Sequence, residues 1–119
     1  MRKGRILAIL FSFCLLPLLM VGCTQLNYEG ADLSGRNLSG ENLSFARLNG
    51  ADLSGTKLTG ADLSFASLVN ANLKDANFTG ANLMFADMRG ADLTDAILIG
   101  ANLTGTKVTG TQLSQAKTR

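Results

Sequence analysis

Between residues 31 and 115 an apolar side chain stands at every fifth position without a slip: Leu33, Leu38, Leu43, Leu48, Leu53, Leu58, Leu63, Leu68, Leu73, Phe78, Leu83, Met88, Leu93, Leu98, Leu103, Val108 and Leu113. Ala precedes most of them by two, with a polar residue between, as in Ala51-Asp52-Leu53 and Ala81-Asn82-Leu83. A period of five fits neither regular element. It advances an α-helix by about 500°, so successive Leu wander round the cylinder and form no stripe. Along a continuous strand an odd spacing would send them alternately to opposite faces. The pattern predicts instead a short extended piece whose Ala and Leu both point inward while the residue between them faces water. A turn such as Ser54-Gly55 then follows.

A chain that turns the same way every five residues must coil, and a longer echo gives the residues per circuit. Gly30-Ala31-Asp32-Leu33-Ser34-Gly35 returns as Gly50-Ala51-Asp52-Leu53-Ser54-Gly55, and Leu43-Ser44-Phe45-Ala46 returns as Leu63-Ser64-Phe65-Ala66 and Leu83-Met84-Phe85-Ala86. The echo of twenty residues makes four pentapeptides per circuit. That predicts an all-β square solenoid of about four coils, stacked at about 4.8 Å into a rod roughly 20 Å tall.

The motif Ala, Asp or Asn, Leu and two variable residues stands as Ala31-Asp32-Leu33, Ala51-Asp52-Leu53, Ala61-Asp62-Leu63, Ala71-Asn72-Leu73, Ala91-Asp92-Leu93 and Ala101-Asn102-Leu103. In this the chain resembles the pentapeptide-repeat family over about 85 of its 119 residues. The resemblance implies a right-handed quadrilateral β-helix; the handedness comes from the resemblance and not from the spacing.

The first 22 residues read differently. Arg2, Lys3 and Arg5 precede an apolar stretch over residues 6–21, interrupted by Ser12 and Pro17, which is the pattern of a helical export signal. An uncleaved anchor is the other reading, although the stretch is short for a membrane span. The signal ends in Leu19-Met20-Val21-Gly22-Cys23, which resembles the lipobox of bacterial lipoproteins. The resemblance implies that Cys23 is the lipid-attachment residue and the first residue of the mature chain. Residues 23–30 then form the lipidated Cys and a short tether, 31–115 the solenoid and 116–119 a tail. Six tether residues span at most roughly 20 Å, which holds the first coil close to the membrane. Thr24 after the Cys, by the same analogy, favours an outer membrane where the host has one. Cys14 leaves with the signal, so the mature chain can form no internal disulfide.

Processing also changes the charge. The chain carries 11 basic and 9 acidic residues; removing the three basic residues of the leader leaves 8 against 9, a net charge of −1. A near-neutral chain argues against electrostatic binding of nucleic acid and against polybasic attraction to membranes.

Against this regular background a few residues depart from the pattern. Phe45, Phe65 and Phe85 recur at one turn position twenty residues apart and should stack on one corner, with Met84 beside them and Ile97 and Ile99 as further outward apolar residues. This column is the candidate interaction surface; the bland alternative is an aromatic ladder that stiffens a corner. Arg36 and Glu41 replace the inward Ala in the first coil, where a buried charge is costly, and read as a polar end cap aided by Leu26 and Tyr28, or as a tolerated frayed turn. Thr106, Val108 and Thr111 weaken the pattern at the far end, and an exposed sheet edge there invites end-to-end self-association. Asp32, Asp52 and Asp92 share a column with Asn72, but this is the family's consensus position and no metal site is assigned to it.

Catalysis is not expected. The chain has no His and no Trp, a single Tyr outside the repeats, and no free thiol once Cys23 is modified, and its interior is filled with Leu. No cofactor is implied. The expected role is a lipid-anchored envelope protein that acts as a scaffold or binds an unidentified protein partner. The alternative is an inhibitor or protector of a topoisomerase that imitates DNA, as some pentapeptide-repeat proteins do, although those are long, strongly acidic rods. Ice or surface binding by a flat face would need regular Thr columns; Ser39, Thr59, Thr79 and Ile99 make only a partial one.

Overall fold

The computed structural model describes residues 25–119. The export signal, the lipobox and Cys23 lie outside the described residues.

The chain coils with a period of twenty. Parallel one-residue bridges link Asn27 to Arg47, Asp32 to Asp52, Asn37 to Lys57 and Asn42 to Asp62, and the same step continues to Ile97 and Lys117. The bridging residue is always the one between the two inward positions, polar everywhere except at Ile97. Asp52 donates its N–H to the Ala31 carbonyl at 2.9 Å, and its own carbonyl accepts from the Leu33 N–H at 2.8 Å, so it turns both backbone groups toward the coil below. The extended pieces are too short to make longer strands, and the four walls consist of single rungs repeated up the rod.

Each corner is a turn closed by a hydrogen bond from the inward Ala to the preceding Leu, as in Ala61 N–H to the Leu58 carbonyl at 3.1 Å. The third turn residue has a positive φ at every corner from Gly30 to Gln115. Gly takes this left-handed conformation without penalty, which is why most corners carry it. Where Asp or Asn precedes the central Leu, it has a second task. Its Oδ1 accepts the turn N–H two residues on, as in Ser34 to Asp32 at 3.0 Å, Ser64 to Asp62 at 2.9 Å and Thr79 to Asn77 at 3.0 Å. Those Asx turns satisfy a backbone donor that the ladder leaves unpaired. At residue 67 the repeat has Ser instead, and the Val69 N–H is satisfied from the coil below by Asn49 Oδ1 at 3.0 Å.

The interior is a column of Leu and Ala with Phe78 and Met88 at Leu positions, all essentially inaccessible. Thr56 replaces an inward Ala and stays fully buried by donating its hydroxyl to the Leu53 carbonyl at 2.6 Å. The coil begins at Asn27, four residues ahead of 31, because Tyr28 fills the central inward position of a first wall. A Tyr in place of Leu hides that wall from a search for apolar periodicity. Most of the segment read as a tether therefore belongs to the solenoid.

Candidate interaction surface

Three corners break the rule that the left-handed position holds glycine or a polar residue. They belong to Phe45, Phe65 and Phe85, with φ of 59°, 59° and 57°. A bulky side chain there is an outlier that costs about 1–2 kcal/mol through its Cβ. Because the coil repeats every twenty residues, the three fall on one edge of the rod. The rings stack, with centroids 5.0 Å apart at 3° between Phe45 and Phe65 and 5.3 Å apart at 27° between Phe65 and Phe85. Each ring remains about half exposed, at 57%, 47% and 50%. The last ring leans over Gly105, where a Cβ would collide with its edge, so glycine ends the column at the upper side. At the lower side Gln25 Nε2 donates to the Phe45 carbonyl at 2.8 Å.

Met84 is half-buried next to Phe85 in the chain, its N–H bonded to Asn82 Oδ1 at 3.2 Å. Ile97 and Ile99 belong to the neighbouring corner, which ends in Gly100, and do not extend the Phe column. The Asp column is occupied with turns. Asp32, Asp52 and Asp92 each accept a turn N–H at 3.0 Å, and Asn72 Nδ2 donates to Asp52 Oδ1 at 3.1 Å.

Part of the outward charge is paired. Glu29 pairs with Arg47 at 2.6 Å, Asp87 with Arg89 at 2.8 Å and Asp92 with Lys74 at 3.2 Å. The side-chain hydrogen bond from Arg47 holds the Glu29 carboxyl below its usual range, with help from Asn49. That from Arg89 lowers Asp87, and the Thr94 hydroxyl lowers Asp92.

The two ends differ. At the first coil Tyr28 and Arg36 are buried, Glu41 is half-buried, and Leu33, Leu38 and Leu43 beneath them are closed to water. Burial, and then the charge of Glu41, pushes the Tyr28 hydroxyl above its usual pKa. At the last coil Leu103, Val108 and Leu113 are exposed by 41%, 43% and 48%. They rim an open hollow of about 210 Å³ whose floor is Met88, Leu93 and Leu98. Thr106 and Thr111, which stand for inward Ala here, donate their hydroxyls down to the Leu83 and Met88 carbonyls at 2.8 Å each. Sequence reasoning saw the weakened pattern at this end but not the open apolar mouth. The available signal was that the last coil keeps its central apolar residues while Thr106 and Thr111 replace the inward Ala.

The model of the pentapeptide repeats matches in eight copies, over residues 29–64, 57–95 and 96–117. The chain belongs to the pentapeptide-repeat family. Among solved structures it is similar to a pentapeptide repeat protein from the Arabidopsis thaliana thylakoid lumen, at 32% identity and a TM-score of 0.70, over 72% of this chain and 60% of that one. It is also similar to the pentapeptide repeat protein Rfr23 of the cyanobacterium Cyanothece 51142, at 41% identity over 72% of this chain and 58% of that one, with a TM-score of 0.38. The plasmid-mediated fluoroquinolone resistance protein QnrB1 follows at 23% identity and a TM-score of 0.43, over 76% of this chain and 59% of that one. The chain thus spans about 60% of the length of the first of these structures. No curated protein matches it. The pentapeptide-repeat neighbours are β-solenoids, consistent with a right-handed coil, and the family's members are generally non-enzymatic structural or protein-interaction modules.

Proposed function

We propose that this pentapeptide-repeat protein is a lipid-anchored module of the cell envelope that binds a protein partner through the Phe45, Phe65 and Phe85 edge. The carrying observation is the placement of three large aromatic rings at left-handed corners where glycine or a polar residue stands everywhere else. Stacking returns about 0.5–1.5 kcal/mol per aromatic pair, and the strain is of similar size, so stability alone gives little reason for the column. An exposed apolar strip along one edge of the rod is the chemistry of a contact. Anchoring rests on Cys23 and the leader before it. The compensated charges of the outward columns do not offer the dense acidic surface that a DNA mimic needs.

The test replaces the three Phe with Asn, a residue that already takes the same left-handed position at Asn70. The Phe45→Asn, Phe65→Asn, Phe85→Asn chain should keep its fold and lose its captured partner. An unchanged partner set would remove the Phe edge from the reading. The mass of the N-terminal peptide from cell membranes should show an acylated Cys23, and an intact Met1 would overturn the anchor. Purified protein should leave gyrase supercoiling unaffected.

A further inference from the structure

We propose, building on the anchored Phe edge, that its occupant is an α-helix of a membrane-embedded protein, laid parallel to the rod with its apolar stripe on Phe45, Phe65 and Phe85. The bonding of the edge, the spacing of its rungs and the place where the chain enters the rod select that occupant.

The edge does not suit an added strand. Phe45, Phe65 and Phe85 donate their N–H groups to the carbonyls of Ser64, Met84 and Thr104 at 2.9, 2.9 and 2.8 Å. The next residues, Ala46, Ala66 and Ala86, donate back to the carbonyls of Leu43, Leu63 and Leu83 at 3.1, 3.0 and 3.0 Å. Added backbone would meet donors that are already engaged, so the occupant is held by side chains. The rungs then set its period. Ring centroids lie 5.0 and 5.3 Å apart, and an α-helix brings an apolar residue back to one side about every 5.4 Å. A strand returns a side chain to the same face only about every 6.7 Å and is out of step by the third ring. Stacked rings also turn their partly positive edges outward, which favours the faces of aromatic side chains on the helix.

The two sides of the strip differ in charge. The wall before the corner carries Asp62 among outward Asn residues, and the wall after it carries Arg47, Asp87 and Lys107. Arg47 is held by Glu29 and Asp87 by Arg89, which leaves Asp62 and Lys107 as charges of opposite sign across the rings. A helix with a cation on one border of its apolar stripe and an acid on the other fits with the cation over Asp62.

The column also starts where the chain enters. Gln25 lies one coil beneath Phe45 on the same corner, its Nε2 on the Phe45 carbonyl at 2.8 Å. Cys23, the proposed site of the lipid, precedes it by two residues, a reach of about 7 Å. Three further coils at about 4.8 Å put Phe85 within about 22 Å of Cys23 at any tilt of the rod. With half of each ring exposed, the strip offers about 300 Å² of aromatic surface. That is well below the roughly 800 Å² per partner of a stable interface. So small a contact is weak between freely diffusing proteins, and confinement of both to one membrane supplies the effective concentration it needs.

The test places the photocrosslinker p-benzoylphenylalanine at Phe45, Phe65 or Phe85 of the full chain, in the cells that produce it, and maps the adducts by mass spectrometry. The expected adducts lie on one membrane-embedded protein, advance by three or four residues per ring, and fall within about 15 residues of its bilayer-spanning segment. Asp62→Asn keeps the turn acceptor, as at Asn42 and Asn82, and should lower the adduct yield about twofold; an unchanged yield would overturn the seating of a cation there. Adducts that advance by one or two residues per ring would overturn the helix and leave the Phe edge standing as the contact. Adducts confined to proteins without a membrane segment would overturn the membrane-embedded partner. An equal yield from the crosslinker at Ile99, exposed on another corner, would mark chance encounters and overturn the proposal. The absence of any protein adduct at all three positions would overturn the Phe-edge reading itself, and the helix with it.

Discussion

At the scale of single residues the fold depends on one conformation repeated at every corner. Gly60 has a φ of 66° and open space where a Cβ would go, so the obstacle to a side chain there is local backbone strain and not a neighbour. Gly60→Ala should cost about 1–2 kcal/mol in chemical denaturation, and Gly60→Asn clearly less. Tyr28 gives a different kind of prediction. Its hydroxyl is buried with no hydrogen-bond partner among the described residues, so Tyr28→Phe should stabilise the chain by about 1 kcal/mol. Burial favours the neutral phenol and raises its pKa above the usual 10.0 of a tyrosine. A group shifted that way adds stability that is present below pH 10 and lost as pH climbs through the raised pKa. The melting temperature should fall above pH 10, and the Phe variant should lack that alkaline limb. The inward Leu and the Asp or Asn beside them were legible from the sequence. The capping of turn donors by those Asx side chains was not, because alternation shows only that they face outward.

The coil is the element, and its length of twenty residues is a stronger constraint than its composition. Deleting residues 51–70 removes one full circuit and leaves Phe45 directly beneath Phe85, so the chain should fold with a lower Tm and keep its columns. Removing only 51–55 shifts every later residue by one wall. Arg47 would then bridge to residue 72 in place of Ser67, and Phe45 would stand on a different corner from Phe65 and Phe85. Circular dichroism should report a folded solenoid for the first deletion, and the second should lose the Phe45–Phe65 stack even where it folds. The period, the number of walls and the alignment of the Phe were readable because each is a matter of counting. The start of the coil was not, since Tyr28 breaks the apolar series while filling its place. The left-handed φ of the three Phe was equally hidden, although Gly at the other corners pointed to it.

As a whole molecule the rod is polar in the directional sense, closed below by Tyr28 and Arg36 and open above at Leu103, Val108 and Leu113. Its response to acid follows from the outward pairs. Glu29, Asp87 and Asp92 have lowered carboxyl pKa values, so the ionised forms favour the folded state and their contribution is present above about pH 4. Thermal melts should be flat through neutrality and decline as pH falls below that range. The change should be gradual, because these are exposed groups with modest energies. The difference between the ends was only half visible in the sequence, which shows that both first and last coils depart from the repeat but not that one departure seals and the other leaves a hollow. A further property belongs to the edge formed by Gly40, Gly60, Gly80 and Gly100, all with positive φ and none with a close neighbour to a Cβ. That edge is indifferent to the chirality rule that governs the rest of the chain. D-alanine at those four sites would hold the backbone at a φ natural to its own hand, so a synthetic protein carrying it should melt above one carrying L-alanine there. The solenoid is therefore a scaffold in which one whole edge is open to mirror-image residues.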